Sequence, residues 1–254
     1  LTKPVSVAIC GDAKQVAQQI LAQLSATAGD KDRDARKALI HTTKSAWLQQ
    51  LSGMDHEDDD PGTTWNDRAR KRDPERMSPR QAWRAIQAGL PRDAIISSDI
   101  GNNCAIGNAY PTFEKGRKYL APGLFGPCGY GFPSIIGAKI GNPDTPVVGF
   151  AGDGAFGISM SEMSSIGREE WPAITMVVFR NYQWGAEKRN STLWYDDNFV
   201  GTELDPHLSY ARVAEACGLK GVVAKTQAQL TEAIAKSCEE QKSGVTTFIE
   251  IVLN

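Results

Sequence analysis

The chain has 254 residues, of which 41% are hydrophobic and 23% charged, and its formal net charge is −2. These values are typical of a soluble globular protein of one large domain, and the near-neutral charge excludes the basic surface expected for nucleic acid or an anionic membrane. The five cysteines are odd in number and form no C-x-x-C pair, so neither a disulfide framework nor a zinc site is predicted and a cytoplasmic setting is the simplest interpretation.

The first segment, "PVSVAICGDAKQVAQQILAQL", predicts a strand, a turn and a helix, because Val5, Val7 and Ile9 alternate before a helical apolar pattern. Such a βα unit is too small to fold alone. Because the chain starts without Met and enters this strand at once, we expect a C-terminal piece of a longer polypeptide. Residues 26–75 follow as charge blocks, which we interpret as a connector. His56 within "DHEDDD" is predicted to belong to a solvated acidic run rather than to a metal site.

From Arg76 onward, predicted strands alternate with helices. Ser78 and Pro79 predict a helix start, as N-cap and first-turn proline. Predicted strands are "AIISSD", "RKYLAP", "TPVVGF", "AITMVVFRN", "KGVVAK" and "TTFIEIVL", and predicted helices include "AFGISMSEMSSIGREE", residues 207–217 and "TQAQLTEAIAKSCEEQ". This alternation predicts an α/β fold, a doubly wound parallel sheet with helices on both faces. Ligands of such sheets bind beyond the carboxyl ends of the strands, where we expect the loops 99–103, 126–131, 152–157 and 181–185.

The segment "GFAGDGAFG" carries the spacing G-x-G-x-x-G after a predicted strand. This spacing is typical of a nicotinamide or flavin site, and Arg180 at the end of the next strand could suit a 2′-phosphate. Asp153, between the first two glycines, disfavours that interpretation, because a carboxylate within ~4 Å of a diphosphate repels it by a few kcal/mol at an effective dielectric of ~20. An NADP-binding reductase therefore stays an alternative without a metal requirement.

A divalent cation removes this conflict, because Asp153 and a diphosphate can both be ligands of one Mg²⁺. Asn181 lies 28 positions later, at the end of the next predicted strand, and supplies a second oxygen. The backbone carbonyl of Gln183 can supply a third. We therefore predict a Mg²⁺ site formed by Asp153, Asn181 and Gln183.

The paired segments "GDGAFGISMSEM" and "NYQWG" resemble the diphosphate-binding signature of thiamine-diphosphate-dependent enzymes. The glycine turn "GPCGYG", which begins 27 positions before Asp153, resembles that of the acetolactate-synthase-like branch. The resemblance implies thiamine diphosphate and Mg²⁺ as cofactors. It assigns residues 1–25 to the end of a middle domain, residues 26–75 to the connector and residues 76–254 to the diphosphate-binding domain. Two positions depart from the family pattern: Arg180 replaces a usual Asn, and Cys128 a usual bulky aliphatic residue.

The resemblance also implies roles for individual residues. The implied cofactor-binding residues are Asp99, Gly101, Asn102, Asn103, Gly126, Cys128, Gly152, Asp153, Gly154, Ala155, Asn181, Gln183, Trp184 and Gly185. The nearest cations for an anionic substrate are Arg180, Lys188 and Arg189, although a solvated helix face is an equally good interpretation of the last two. The glutamate that activates the cofactor in this family belongs to an N-terminal domain, so we predict no catalytic residue in this chain and no turnover by it alone.

Within the branch, "GPCGYGFPSIIGAK" and "YDDNFVGTEL" resemble most the sulfoacetaldehyde acetyltransferases, a family that converts sulfoacetaldehyde and phosphate into acetyl phosphate and sulfite. The resemblance implies a homodimer or homotetramer with a shared active site, and neither nucleic acid nor membrane as partner. An acetolactate synthase-like carboligase or decarboxylase acting on pyruvate is the nearest alternative enzyme. A cofactor-binding or regulatory subunit without catalysis is the alternative from another class.

Overall fold

The computed structural model describes residues 4–24, 32–54, 76–113, 116, 118–168 and 170–253. The chain divides into two compact units, residues 1–52 and 53–254. The first unit contains helix α1, Ala13–Leu24, and most of helix α2, Arg33–Met54. Helix α2 was not predicted, because its segment mixes charges and apolar residues with no strong helical periodicity. The boundaries predicted for the connector and its neighbours stay predictions, and His56 lies outside the described residues.

The strand predicted at the start of the chain is wrong. Residues 4–11 form no strand, and the side chains of Val5, Val7 and Ile9 are 56%, 76% and 61% exposed. Alternating apolar residues favour a strand only where a neighbouring strand completes the hydrogen bonds and a core covers one face. Neither is present for residues 4–11 in the part of the chain that the structure describes.

The second unit contains a six-stranded parallel sheet, as predicted, with strand order β2-β1-β3-β4-β6-β5. The strands are β1 (Ile95–Ser98), β2 (Tyr119–Leu120), β3 (Val147–Gly152), β4 (Thr175–Arg180), β5 (Lys220–Ala224) and β6 (Thr247–Val252). Strand β6 pairs with β4 from Thr175↔Thr247 to Arg180↔Val252. Because all strands are parallel, the carboxyl ends of the central strands lie along one edge of the sheet.

Helices of the second unit cover both faces of this sheet. They are α3 (Pro79–Gly89), α4 (Asn102–Gly107), α5 (Gly131–Gly141), α6 (Asp153–Ser159), α7 (Met163–Ile166), α8 (Gly185–Trp194), α9 (Tyr210–Ala216) and α10 (Gln227–Glu240). Helix α3 starts as predicted: Ser78 Oγ accepts from Gln81 N at 3.2 Å, and Gln81 Oε1 accepts from Ser78 N at 3.0 Å. The single helix predicted over "AFGISMSEMSSIGREE" is wrong in detail, because a 3₁₀ turn at Met160–Glu162 separates α6 from α7.

The two faces of the sheet carry separate apolar layers. On one face, Phe132 of α5 and Phe156 of α6 pack against Phe248 of β6, with ring centroids 5.2 and 5.8 Å away. On the other face, Trp83 of α3 packs against Phe150 of β3, at 4.7 Å. Successive residues of a strand point to opposite faces, so the continuous burial of β3 and β4 follows from helices on both sides.

Candidate active site

A cavity of about 190 Å³ lies at the carboxyl ends of β1, β3 and β4. All the cofactor-binding residues predicted from the sequence line it, with the exception of Asp99. Further lining residues that were not predicted to bind the cofactor individually include Ile106, Phe179, Glu187 and Leu253, while Ile100 lies within the predicted loop 99–103. These are mostly apolar or follow a predicted residue directly, so no motif distinguished them. The predicted loops therefore meet at one edge of the sheet.

Asp153 is the first residue of α6, directly after β3, and is 2% exposed. Its Oδ1 accepts from Gly154 N at 3.0 Å, and its Oδ2 accepts from Tyr182 N at 2.7 Å. Burial raises the pKa of this carboxyl to about 6, against the opposing effect of these uncharged backbone donors. A bound cation would relieve the cost of burying the carboxylate.

Two polar groups, the Asn181 side-chain amide and the Gln183 backbone carbonyl, lie beside the Asp153 carboxylate. The end of the Asn181 amide that faces the other two groups lies 3.1 Å from Asp153 Oδ1 and 3.0 Å from the carbonyl oxygen of Gln183. An amide nitrogen placed there donates to both oxygens. An amide oxygen placed there lies at the distance from both of these oxygens that separates neighbouring ligands around Mg²⁺, about 3 Å for metal–oxygen bonds of about 2.1 Å. The donor set therefore fits the predicted ion.

This set contains only one acidic side chain. Among the described residues, no cluster of three or more His, Cys, Asp or Glu side chains could hold a metal ion. A site of amide, carbonyl and single carboxylate oxygens suits a hard cation that keeps other oxygen ligands, such as those of a phosphate. The chemistry of these groups favours Mg²⁺ over zinc or another transition metal.

Asp99 has a different position from the one predicted. It is fully buried at the end of β1, and its Oδ1 accepts from Ile100 N at 2.9 Å and Gly129 N at 3.1 Å. Its Oδ2 accepts from Gly131 N at 2.6 Å. Asp99 therefore binds the glycine turn, Gly126–Gly131, instead of facing the cavity. Burial raises the pKa of its carboxyl, although the three backbone donors oppose this.

Asn103 lies in the cavity wall and is 7% exposed. The backbone carbonyl oxygen of Asn103 accepts from the indole N–H of Trp83 at 3.2 Å, and this hydrogen bond fixes the first turn of α4. Its side-chain Nδ2 has no hydrogen-bond partner among the described residues. A buried donor without a partner costs about 1–3 kcal/mol, and an anionic oxygen in the cavity would satisfy it.

Two glycines of the cavity wall, Gly154 and Gly185, leave room for neighbouring side chains to pack directly against the backbone. A Cβ on Gly154 would lie 2.8 Å from the Trp184 indole, and one on Gly185 would lie 3.1 Å from the amide nitrogens of Asn102 and Asn181. Any other residue at Gly154 would displace the indole. These glycines therefore serve close packing, whereas their backbone angles are available to other residues.

Cys128 lies on the glycine turn and is exposed. Partial burial of the sulfur, together with the nearby carboxylates of Asp99 and Glu187, raises the pKa of its thiol. The thiol therefore stays protonated at neutral pH. Its role beneath a cofactor ring stays a prediction.

The three cations predicted for an anionic substrate differ in their surroundings. The Arg180 guanidinium forms a buried ion pair with Glu250. The buried ammonium of Lys188 pairs with the exposed Glu203 at 2.5 Å and lies 5.0 Å from the centroid of the Phe199 ring. Arg189 is exposed on α8. Arg180 and Lys188 therefore bind carboxylates of this chain, whereas the sequence predicted that they bind an anionic substrate. A role for Arg189 in substrate binding stays a prediction.

No helix of the described residues is long and apolar enough to cross a bilayer. Comparison with known proteins matched residues 99–251 to a family model described as "Thiamine pyrophosphate enzyme, C-terminal TPP binding domain". This match covers more than half of the chain. It includes β3 and β4 and the cavity-lining loops that follow β1, β3 and β4.

Several curated proteins are similar to the whole chain. A probable sulfoacetaldehyde acetyltransferase of Rhizobium meliloti is 78% identical over 100% of this chain and 43% of its own length. A sulfoacetaldehyde acetyltransferase of Roseovarius nubinhibens is 72% identical over 100% of this chain and 42% of its own length. The acetolactate synthase isozyme 3 large subunit of Escherichia coli is 24% identical over 100% of this chain and 41% of its own length. The chain thus spans less than half the length of these relatives.

Among solved structures, a thiamine diphosphate-dependent 4-hydroxybenzoylformate decarboxylase of Rhodococcus jostii RHA1 is similar, with a TM-score of 0.65 and 23% identity. The similarity covers 72% of this chain and 34% of that one. At this identity it supports the fold alone.

Proposed function

Because this chain belongs to the thiamine pyrophosphate enzyme family, we propose that its cavity binds thiamine diphosphate and Mg²⁺ as part of a sulfoacetaldehyde acetyltransferase. The complete protein converts sulfoacetaldehyde and phosphate into acetyl phosphate and sulfite. The observation that carries this proposal is an identity of 70–78% over the entire chain to three curated proteins of that name or probable name. The acetolactate synthases, at 23–25% identity, are far less similar.

The proposed ligands of Mg²⁺ are the carboxylate of Asp153, the amide oxygen of Asn181 and the carbonyl oxygen of Gln183. The convergence of these groups within 3.1 Å supports the assignment. The ion neutralises Asp153 and allows a diphosphate to lie beside it. The Nδ2 of Asn103 is the proposed donor to a diphosphate oxygen, since it is buried in the cavity wall without a partner among the described residues.

The remaining residues of the site hold the cofactor rather than transfer protons. Gly126 and Cys128 are proposed to contact its aminopyrimidine ring, and Trp184 closes the wall beside Gly154. When bound, thiamine diphosphate supplies the carbon nucleophile that adds to an aldehyde carbonyl. The glutamate that activates it is proposed to lie in a further domain, shared across a subunit interface of a cytoplasmic homodimer or homotetramer. The 254-residue chain alone is therefore expected to be inactive.

The first experiment is to replace Asp153 by Ala in the complete protein and titrate thiamine diphosphate with and without Mg²⁺. We expect Mg²⁺-dependent binding to disappear while the fold, measured by circular dichroism, is retained. Asp144→Ala is the control variant, because Asp144 is exposed and precedes the amino end of β3, whereas Asp153 follows its carboxyl end. Unchanged Mg²⁺-dependent binding by Asp153→Ala would exclude the proposed metal site.

The substrate is tested with the wild-type complete protein. Supplied with thiamine diphosphate, Mg²⁺, sulfoacetaldehyde and phosphate, it should release sulfite and acetyl phosphate together, and both should depend on phosphate. Consumption of pyruvate without either product would retain the cofactor and refute the substrate.

A further inference from the structure

A buried ion pair joins the neighbouring strands β4 and β6 next to the proposed metal loop. Arg180, the last residue of β4, pairs with Glu250 of β6, and their side chains are 9% and 2% exposed. The guanidinium also donates to the carbonyl oxygen of Pro206 at 2.6 Å. The second oxygen of Glu250 accepts from Ser209 Oγ at 2.8 Å and from Ala211 N at 3.1 Å. The pair therefore connects both strands to the start of α9.

The guanidinium also contacts the loop that carries Asn181 and Gln183. Arg180 Cζ lies 4.5 Å from the centroid of the Tyr182 ring, the range of a cation–π contact. Tyr182 has a φ of +63°, which residues other than glycine rarely adopt. In this conformation its N–H donates to Asp153 Oδ2 at 2.7 Å. The residue that holds Asp153 in place is thus covered by Arg180.

A second connection runs through α9. Ser209 is the N-cap of this helix and Ala211 lies in its first turn, and both donate to Glu250. Between them, the Tyr210 hydroxyl donates to the backbone carbonyl of Asp153 at 3.0 Å. Glu250 therefore fixes the helix turn from which Tyr210 reaches Asp153.

We propose that the Arg180–Glu250 pair is a positioning device for the Mg²⁺ ligands. It acts through Tyr182 on the side chain of Asp153 and through Tyr210 on its backbone, without contacting the substrate. This inference rests on the proposed function, because it concerns the same metal site. It replaces the expectation that Arg180 receives an anionic substrate.

The test removes both charges at once in the complete protein, with the double variant Arg180→Met/Glu250→Gln. Removing only one partner would leave a buried charge without compensation and endanger folding. We expect a thermal unfolding midpoint within a few degrees of wild type, and a Kd for Mg²⁺ about 10- to 100-fold higher at saturating thiamine diphosphate. Isothermal titration calorimetry of Mg²⁺ into metal-free protein measures this Kd directly, without reliance on turnover.

The matched control is Lys220→Met/Glu240→Gln. Lys220 Nζ lies 2.5 and 2.7 Å from the two carboxylate oxygens of Glu240. Lys220 is the first residue of β5, so this ion pair lies away from the carboxyl ends of the strands. We expect its Kd for Mg²⁺ to equal that of wild type. If the Arg180→Met/Glu250→Gln protein does not fold, Arg180→Lys replaces it. A lysine keeps the charge but cannot bond Glu250 and Pro206 in a fork, so an intermediate rise in Kd is expected.

A folded double variant with a Kd within twofold of wild type would overturn the inference. So would an unchanged Kd combined with a raised KM for sulfoacetaldehyde or phosphate, which is the result expected if Arg180 bound the substrate. Wild-type protein that binds thiamine diphosphate equally well without Mg²⁺ would refute the proposed function itself, and the inference with it. The wild-type titration thus separates the two failures.

Discussion

Replacing Asp99 by Asn should loosen the glycine turn Gly126–Gly131 while leaving β1 in place. The carboxylate accepts three backbone N–H groups, two of which belong to Gly129 and Gly131 of this turn. An amide has one acceptor oxygen, so in either orientation its NH₂ group faces at least one of these buried donors. A buried donor without a partner costs about 1–3 kcal/mol, and we expect about 2 kcal/mol here.

Part of the loss is offset, because burial raises the pKa of Asp99. A raised pKa in the folded state means that the wild-type protein loses stability from this group as the pH rises through that pKa. The uncharged Asn does not share this loss. Near neutral pH, the loss of stability caused by Asp99→Asn is therefore expected to be smaller than the summed free energies of three charge-assisted hydrogen bonds.

Hydrogen exchange followed by mass spectrometry on peptides that contain Gly129 and Gly131 measures this local opening in the complete protein. A change of about 2 kcal/mol corresponds to about 30-fold faster exchange, at 1.4 kcal/mol per factor of ten. Asp93→Asn, an exposed position just before β1, provides the control and should change exchange in the turn by less than twofold. Equal exchange in the two variants would refute the role assigned to the Asp99 carboxylate.

Two further predictions concern the cavity wall. Gly154→Ala places a methyl group 2.8 Å from the Trp184 indole and should weaken thiamine diphosphate binding, measured by calorimetry, by about 1–3 kcal/mol. The control Gly157→Ala, whose methyl group meets nothing within 4 Å, should leave this affinity unchanged. Equal affinities of the two variants would contradict the packing of Trp184 against Gly154. Because burial and nearby carboxylates raise the pKa of Cys128, its alkylation should be slow at neutral pH and accelerate as the pH rises through that pKa. Thiamine diphosphate with Mg²⁺ should slow it further while Cys10, exposed in the first unit, reacts as before; undiminished labelling of Cys128 would place the cofactor elsewhere.

The sheet and the loops of the site were predictable because local signals and chain order agree. "AIISSD", "TPVVGF" and "AITMVVFRN" are short apolar runs followed by glycine or polar residues. Each contains a strand, and the residues that follow each strand line the cavity. Parallel pairing then brings these ends together whatever the exact strand boundaries. The convergence of Asp153 and Asn181 follows from this rule alone.

Two charged residues of the site have partners that are remote in sequence, which no local pattern reveals. The local sequence shows no partner for Arg180, because Glu250 lies 70 positions later in the chain and meets it only through the pairing of β4 with β6. The local sequence predicts that Asp99 lines the cavity, because it does not show the three backbone N–H groups that its carboxylate binds. In both cases the role of a charged side chain was predicted from its position at the end of a strand, whereas its burial and its partners give it structural contacts within this chain.

The insertion of β6 between β4 and β5 has a consequence for biosynthesis. Val178 pairs with Glu250, so a ribosome must add 72 residues before β4 receives its second neighbour. At about 5–20 residues per second, this takes roughly 4–14 s. During that interval the apolar edge of β4 is open to pairing with other chains. Formation of the complete sheet of this unit is therefore expected to wait for the synthesis of β6.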